Sequence, residues 1–133
     1  LTEPFEIDYS IYKNVDPKIH TIREDKKNRW KVGTKIDFFI NCRQKNMFRF
    51  APVLPVVSIQ EVSIIHETVF TNKTATIKID GEWFAAYNFS KGNIYGKLET
   101  FIKNDGFDKI EDFFAYFNKD FKGIIIHWTD FKY

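Results

Sequence analysis

The residues with the clearest chemical potential are Lys18, Thr21 and Arg23, which supply two cations and a hydroxyl within one short stretch. Alternate residues of an extended strand point to the same face, so Thr21 and Arg23 can face one cleft together. Lys18 has the opposite parity to Thr21 and joins that cleft only if residues 17–21 form a turn or a short helix. The spacing therefore predicts a small polar cleft at the start of a strand.

Lys18 has two possible chemical roles, and its protonation state decides between them. At its ordinary pKa of about 10.4, only about one lysine in 2,500 is neutral at pH 7. A general base near neutrality needs a pKa lower by about 3 units, at a cost of about 4 kcal/mol. Burial and Arg23 would lower the pKa of Lys18, whereas a paired carboxylate would raise it. A fixed ammonium needs no such shift to hold a phosphate or a base carbonyl, so Lys18 is predicted to bind unless the site is desolvated.

Three further residues are candidates for contacting a ligand. Arg43 and Lys45 lie at a basic, polar tip between two predicted strands, which is either a solvated hairpin or a contact for a polyanion. Trp30 follows a charged turn and is either a core residue or a surface on which a base stacks. Both interpretations stay open, and all three side chains join Arg23 as candidate ligand contacts.

No residue pattern indicates a metal, a cofactor or a disulfide. The three histidines, His20, His66 and His127, lack the spacing of metal ligands, and the chain has no glycine-rich phosphate loop. Cys42 is the only cysteine, so an intrachain disulfide is excluded. We interpret Cys42 as a small buried apolar residue.

The balance of charge limits how the chain can bind a polyanion. Its 133 residues carry 20 Lys and Arg against 18 Asp and Glu, a formal net charge of +2. This balance excludes a protein that coats nucleic acid through bulk electrostatics, so any contact with nucleic acid must be local. Residues 1–10 lack the basic start of a signal peptide, and no apolar run reaches the roughly 20 residues that span a bilayer. We therefore predict a cytoplasmic protein with no membrane partner.

Apolar and β-branched stretches predict the strands that must position these residues. The predicted strands cover 35–42, 48–50, 53–65 and 74–79. Pro55 delays the third strand until after it, and Asp80-Gly81 predicts a hairpin turn after the fourth. The run from residue 123 to 129 predicts a buried final strand with Ile124, Ile126 and Trp128 on one face.

Two apolar stripes at helical spacing follow the strands. The first consists of Ile94, Leu98, Phe101 and Ile102, and Gly106 suits the position just after that helix. The second consists of Ile110, Phe113, Phe114 and Phe117, and Asp108 with Glu111 resembles a capping box at its start. Strands, two helices and a final strand returning to the sheet predict an α+β fold, a small, partly closed β-barrel with flanking helices.

Four motifs in one order resemble the ASCH family, a branch of the PUA-like superfamily of small β-barrels that bind RNA. The motifs are Lys18-Ile-His-Thr-Ile-Arg-Glu-Asp25, Arg29-Trp-Lys-Val-Gly33, Asn104-Asp-Gly-Phe107 and Gly123-Ile-Ile-Ile-His-Trp-Thr-Asp130. The first motif is the most specific, and the resemblance covers the chain from near Lys18 to Tyr133. It implies one PUA-like domain over residues 1–133, with a ligand cleft over the first motif.

One branch of that family is implied to hydrolyse 4-acetylcytidine with a lysine, a threonine and a later carboxylate. The resemblance carries these catalytic roles to Lys18, Thr21 and Asp105. The branch carries Glu where this chain has Asp105, so the carboxylate is withdrawn by one carbon–carbon bond, roughly 1.5 Å. Catalytic contacts are set within about 0.5 Å, so this departure weighs against catalysis.

Three hypotheses follow. The leading one is a binding module whose cleft, formed by Lys18, Thr21 and Arg23 and helped by Arg43 and Lys45, holds an RNA nucleotide or a modified nucleoside. The alternative is an amidohydrolase that deacylates 4-acetylcytidine-like nucleosides, with Thr21 as nucleophile. The third is an interaction domain whose Phe-rich surface binds another protein.

Overall fold

The computed structural model describes the backbone of residues 2–6, 18–40, 48–49 and 54–133, and the side chains of residues 18–36 and 54–133. The strands are β1 (Thr2–Glu6), β2 (His20–Arg23), β3 (Lys35–Ile40), β4 (Phe48–Arg49), β5 (Leu54–Pro55), β6 (Ser58–Val69), β7 (Asn72–Ile79), β8 (Glu82–Asn88), β9 (Asn93–Gly96) and β10 (Phe121–His127). The helices are α1 (Leu98–Asn104) and α2 (Ile110–Tyr116). Among the described residues, no helix has the length and apolar character needed to cross a membrane.

The strands form two sheets. The larger sheet is antiparallel, with the strand order β2-β10-β6-β7-β8-β9. In the smaller sheet β3 pairs in parallel with β1 and antiparallel with β4 and β5. A mostly β architecture with two helices confirms the α+β class. No closed barrel is found, because β2 and β9 remain the edges of the larger sheet within the part of the chain that the structure describes.

The final strand lies inside the larger sheet, as its apolar sequence predicts. β10 pairs with β2 on one side and with β6 on the other. Ile126 belongs to a buried cluster against which Ile124 and Trp128 pack, so the predicted shared face is confirmed. Ile125 belongs to the main core on the opposite face. β10 therefore separates two apolar clusters and carries β2 along its edge.

The segment after residue 65 extends the sheet through a meander that the sequence patterns revealed only in part. Asp80 and Gly81 both have positive φ, 52° and 82°, and form the predicted turn between β7 and β8. The strands β8 and β9 were not predicted. Ile94 lies in β9 and not in the first helix, so its match to the helical stripe is a coincidence of spacing.

The two helices follow their apolar stripes but differ in how well their ends were predicted. Asp105 ends α1, and Gly106 follows it with φ of 92°, as expected for a glycine after a helix. Asp108 does not cap α2, since Lys109 occupies the N-cap position and no side chain caps the helix. Ile110, the first residue of α2, packs against the main core.

The main core lies between the helices and one face of the larger sheet. Its fully buried side chains include Ile64 and Ile77 from the sheet and Phe101 and Phe113 from the helices. Ile22 of β2 joins this core, so β2 turns His20 and Ile22 toward α1 and α2. The side chains of Thr21 and Arg23 lie on the opposite face of β2.

Candidate functional site

The segment that carries Lys18 is fixed beside the end of α1. The backbone N–H of Ile19 donates a hydrogen bond to the carbonyl oxygen of Asn104 at 2.9 Å. β2 begins one residue later, where His20 pairs with His127 of β10. These two attachments bring the first motif and the Asn104-Asp105 motif together although they are far apart in sequence.

Lys18 and Asp105 form an ion pair at the resulting junction. The Nζ of Lys18 lies 3.9 Å from Oδ1 of Asp105, with side chains 10% and 4% exposed. Burial lowers the pKa of Lys18, the carboxylate of Asp105 raises it, and the nearby Arg23 lowers it further. A buried cation of this kind needs its carboxylate, since breaking such a pair leaves an uncompensated charge.

A fully buried histidine contacts the same oxygen of that carboxylate. The Nδ1 of His20 lies 3.2 Å from Oδ1 of Asp105, and its Nε2 lies 2.6 Å from the hydroxyl of Tyr133. The side-chain amide of Asn104 donates to the same hydroxyl at 3.0 Å. Successive polar contacts therefore connect the interior to Lys18, through the side chains of Asn104, Tyr133, His20 and Asp105.

A second polar group lies next to this series, around His127. The Nε2 of His127 donates to the side-chain oxygen of Gln60 at 3.0 Å, and that oxygen also accepts the backbone N–H of Tyr133 at 2.8 Å. The Gln60 amide donates to Asp80 and to the carbonyl oxygen of Tyr133, both at 2.8 Å. Gln60 thus ties residue 133 to the sheet and assigns the proton of His127 to Nε2.

Burial in this region perturbs two further groups. Burial lowers the pKa of His127 to about 4. The Nδ1 of His127 is buried without a hydrogen-bond partner. Burial also raises the pKa of the Tyr133 hydroxyl, against the opposing effect of the hydrogen bond from Asn104. The region therefore favours uncharged forms of these side chains.

Thr21 does not join Lys18 and Asp105. It is 5% exposed and pairs with Ile126, on the face of β2 opposite to His20. Within the described residues, the hydroxyl of Thr21 makes no hydrogen bond to either Lys18 or Asp105. The structure thus brings together two of the three residues that the resemblance marks as catalytic.

The other candidate ligand residues lie in different places. Arg23 is half-buried and pairs with Ile124 at the edge of the sheet. Trp30 packs against the smaller apolar cluster, and the Asp25 carboxylate accepts its backbone N–H at 3.1 Å. Arg43 and Lys45 lie outside the described residues.

The residues that sequence patterns missed are the buried partners of the site: His20, Asn104, Tyr133, Gln60 and His127. His20 and Asn104 stand inside two of the quoted motifs, so their position next to Lys18 and Asp105 was the available signal. Within the ranges that the structure describes, no three His, Cys, Asp or Glu side chains come together as a metal site.

Comparison with protein-family models, with curated proteins and with solved structures yields no match to this chain. The resemblance to the ASCH family therefore remains a prediction from the four motifs.

Proposed function

We propose that this chain is an ASCH-type binding module of PUA-like fold, in which Lys18 and Arg23 hold an RNA nucleotide or a modified nucleoside. The observation that carries the proposal is the Lys18–Asp105 pair, with 3.9 Å between Nζ and Oδ1. That distance is longer than the roughly 2.7–2.9 Å of a charge-assisted hydrogen bond. Asp105 therefore attracts the Lys18 ammonium electrostatically without forming a direct hydrogen bond to it. The N–H groups of that ammonium can then be donated to a phosphate or to the carbonyl of a base.

The arrangement on β2 supports the same proposal. Arg23 lowers the pKa of Lys18, which means that the two cations lie close enough to interact. Arg23 lies with Thr21 on the other face of β2, so an anionic ligand at Lys18 would contact Lys18 directly and would be attracted by Arg23 over a longer range. Because the formal net charge is only +2, this local pair and the predicted contribution of Arg43 and Lys45 must supply the attraction.

We expect binding of single-stranded RNA with a modest salt dependence. Two or three phosphate contacts correspond to a slope of about −1.4 to −2.1 in a plot of log affinity against log salt concentration, at about −0.7 per contact. Arg23→Gln should weaken binding and reduce that slope by about 0.7. Fluorescence anisotropy with a labelled RNA oligonucleotide at several salt concentrations measures both quantities.

Lys119→Gln is the matched control, because Lys119 is exposed and precedes β10 at the end remote from His127. The length of that strand places it roughly 20 Å from the site. It should change the slope less than Arg23→Gln does. Absence of binding at low salt, or equal effects of the two variants, would count against the proposal.

A second candidate function is hydrolysis of 4-acetylcytidine, which one observation favours. Burial lowers the pKa of Lys18, the direction that a general base requires. The position of Thr21 on the other face of β2 is the observation against it. The two functions differ in how much they depend on a proton leaving Lys18.

If the site is hydrolytic, Thr21→Ala should abolish release of acetate and cytidine, because the nucleophile is lost. Lys18→Arg should damage a hydrolase nearly as much, since a guanidinium keeps its proton, whereas a binding site should tolerate it. Asp105→Glu restores the carboxylate length of the hydrolytic branch and should speed the reaction. Chromatography at neutral pH detects the products. No product from the unaltered chain and none from Asp105→Glu would exclude this function for this substrate.

A further inference from the structure

We propose that His20 is a positioning residue for the Lys18 site. Locked as the Nδ1–H tautomer by the Tyr133 hydroxyl, it holds the Asp105 carboxylate beside the Lys18 ammonium. The inference deepens the proposed function and rests on it only in assigning Lys18 to the ligand. The geometry that carries it lies within the protein, so it can be tested without a ligand.

The direction of each hydrogen bond follows from the donors available. The side-chain nitrogen of Asn104 can only donate, so the Tyr133 oxygen accepts from it at 3.0 Å. The single proton of Tyr133 is then available to the Nε2 of His20, 2.6 Å away. A neutral imidazole that accepts at Nε2 carries its proton on Nδ1, and this proton points to Asp105.

The opposite tautomer is disfavoured by the same contacts. With the proton on Nε2, the lone pair of Nδ1 would face the Asp105 oxygen at 3.2 Å, and two acceptors would meet in a buried site. An unmatched pair of buried acceptors costs more than an ordinary hydrogen bond contributes. Tyr133 thus selects the tautomer that Asp105 requires.

The His20 ring is also held in place by packing. It is fully buried, with ring centroids of Phe101, His127 and Tyr133 at 5.5, 5.3 and 5.4 Å. Asp105 ends α1, and Oδ1 of its carboxylate is the atom that contacts both His20 and Lys18. The rigid imidazole is therefore the group that determines where the carboxylate lies, and through it the position and pKa of the Lys18 ammonium.

Nitrogen NMR of the His20 ring and of the Lys18 side chain tests this inference in the full chain. The unaltered protein should show the Nδ1–H tautomer of His20. Tyr133→Phe should increase the Nε2–H form and lower the pKa of Lys18, because the carboxylate that raises it is less well held. Tyr116→Phe removes the hydroxyl of an exposed tyrosine and should change neither signal.

Two substitutions of His20 supply a test that does not depend on Tyr133→Phe folding. His20→Asn places an amide donor near the position of Nδ1 and should keep the Lys18 pKa, whereas His20→Gln places its donor near Nε2 and should lower that pKa.

If RNA binds, Tyr133→Phe should weaken the binding of RNA about threefold to tenfold, which corresponds to the loss of one hydrogen bond. An Nε2–H tautomer in the unaltered protein, or a Lys18 pKa that Tyr133→Phe leaves unchanged, would overturn the inference. Failure of RNA binding alone would reject the proposed function and leave the NMR result to decide this one.

Discussion

Replacing Asp105 with alanine is expected to lower the free energy of unfolding by about 3–5 kcal/mol near neutral pH. Asp105 is 3% exposed and is the charge partner of Lys18 and the acceptor for His20. Its removal takes away the carboxylate that is paired with a buried ammonium and leaves a buried N–H without its acceptor. Urea unfolding followed by circular dichroism measures the loss.

The loss should shrink as the pH rises. The pKa of Lys18 in the folded chain is lowered from its ordinary value of about 10.4. Between the folded and unfolded values the unfolded chain binds more protons, so stability rises with pH in that window. Asp105 raises the folded pKa, so its removal extends the window downward, and the variant begins to gain stability at a lower pH than the unaltered chain.

Asp108→Ala is the matched control, because Asp108 is an exposed carboxylate three residues further along the same connection. Its effect should stay within about 0.5 kcal/mol, as is usual for surface substitutions. A similar loss in both variants, or an Asp105→Ala deficit that is constant from pH 7 to 10, would mean that Asp105 does not compensate a buried ammonium.

The elements that could be predicted from the sequence are those with one dominant local cause. The β-branched residues Ile124 to Ile126 favour a buried strand, and the positive φ that follows α1 favours a glycine such as Gly106. The strand β8 has no such cause. Its sequence Glu82-Trp-Phe-Ala-Ala-Tyr-Asn88 breaks strict alternation, since a register shift in its pairing with β7 moves Phe84 toward the main core while Trp83 stays exposed.

The candidate site divides in the same way. Lys18 and Asp105 are charged residues in two of the quoted motifs, and the resemblance carried by those motifs predicted that they share one site. Tyr133 and His20 are 113 residues apart, and their contact depends on the register between β2 and β10 and on the anchoring of residue 133 by Gln60. No local pattern encodes those two constraints, so the partner that orients Asp105 could be found only in the folded chain.

His127 is expected to make the fold sensitive to mild acid. Burial lowers its pKa from about 6.5 to about 4 in the folded chain. The unfolded chain therefore binds more protons between these values, and stability falls as the pH drops from 6.5 towards 4. The full difference corresponds to about 3 kcal/mol, at about 1.4 kcal/mol per pH unit. Carboxylates titrate in the same range, so the contribution of His127 must be measured as a difference between variants.

His127→Gln isolates that contribution, because the glutamine amide can replace the N–H that His127 donates to Gln60. Urea unfolding at pH 4, 5, 6 and 7 should show that the variant loses about 3 kcal/mol less than the unaltered chain over this range. The carboxylates are the same in both proteins and cancel in the comparison. His66→Gln, at a half-buried histidine bonded to the carbonyl oxygen of Phe117, shows what the loss of any histidine does to the profile. Parallel stability profiles for His127→Gln and the unaltered chain would mean that the buried Nδ1 of His127 is not the group whose protonation destabilises the fold.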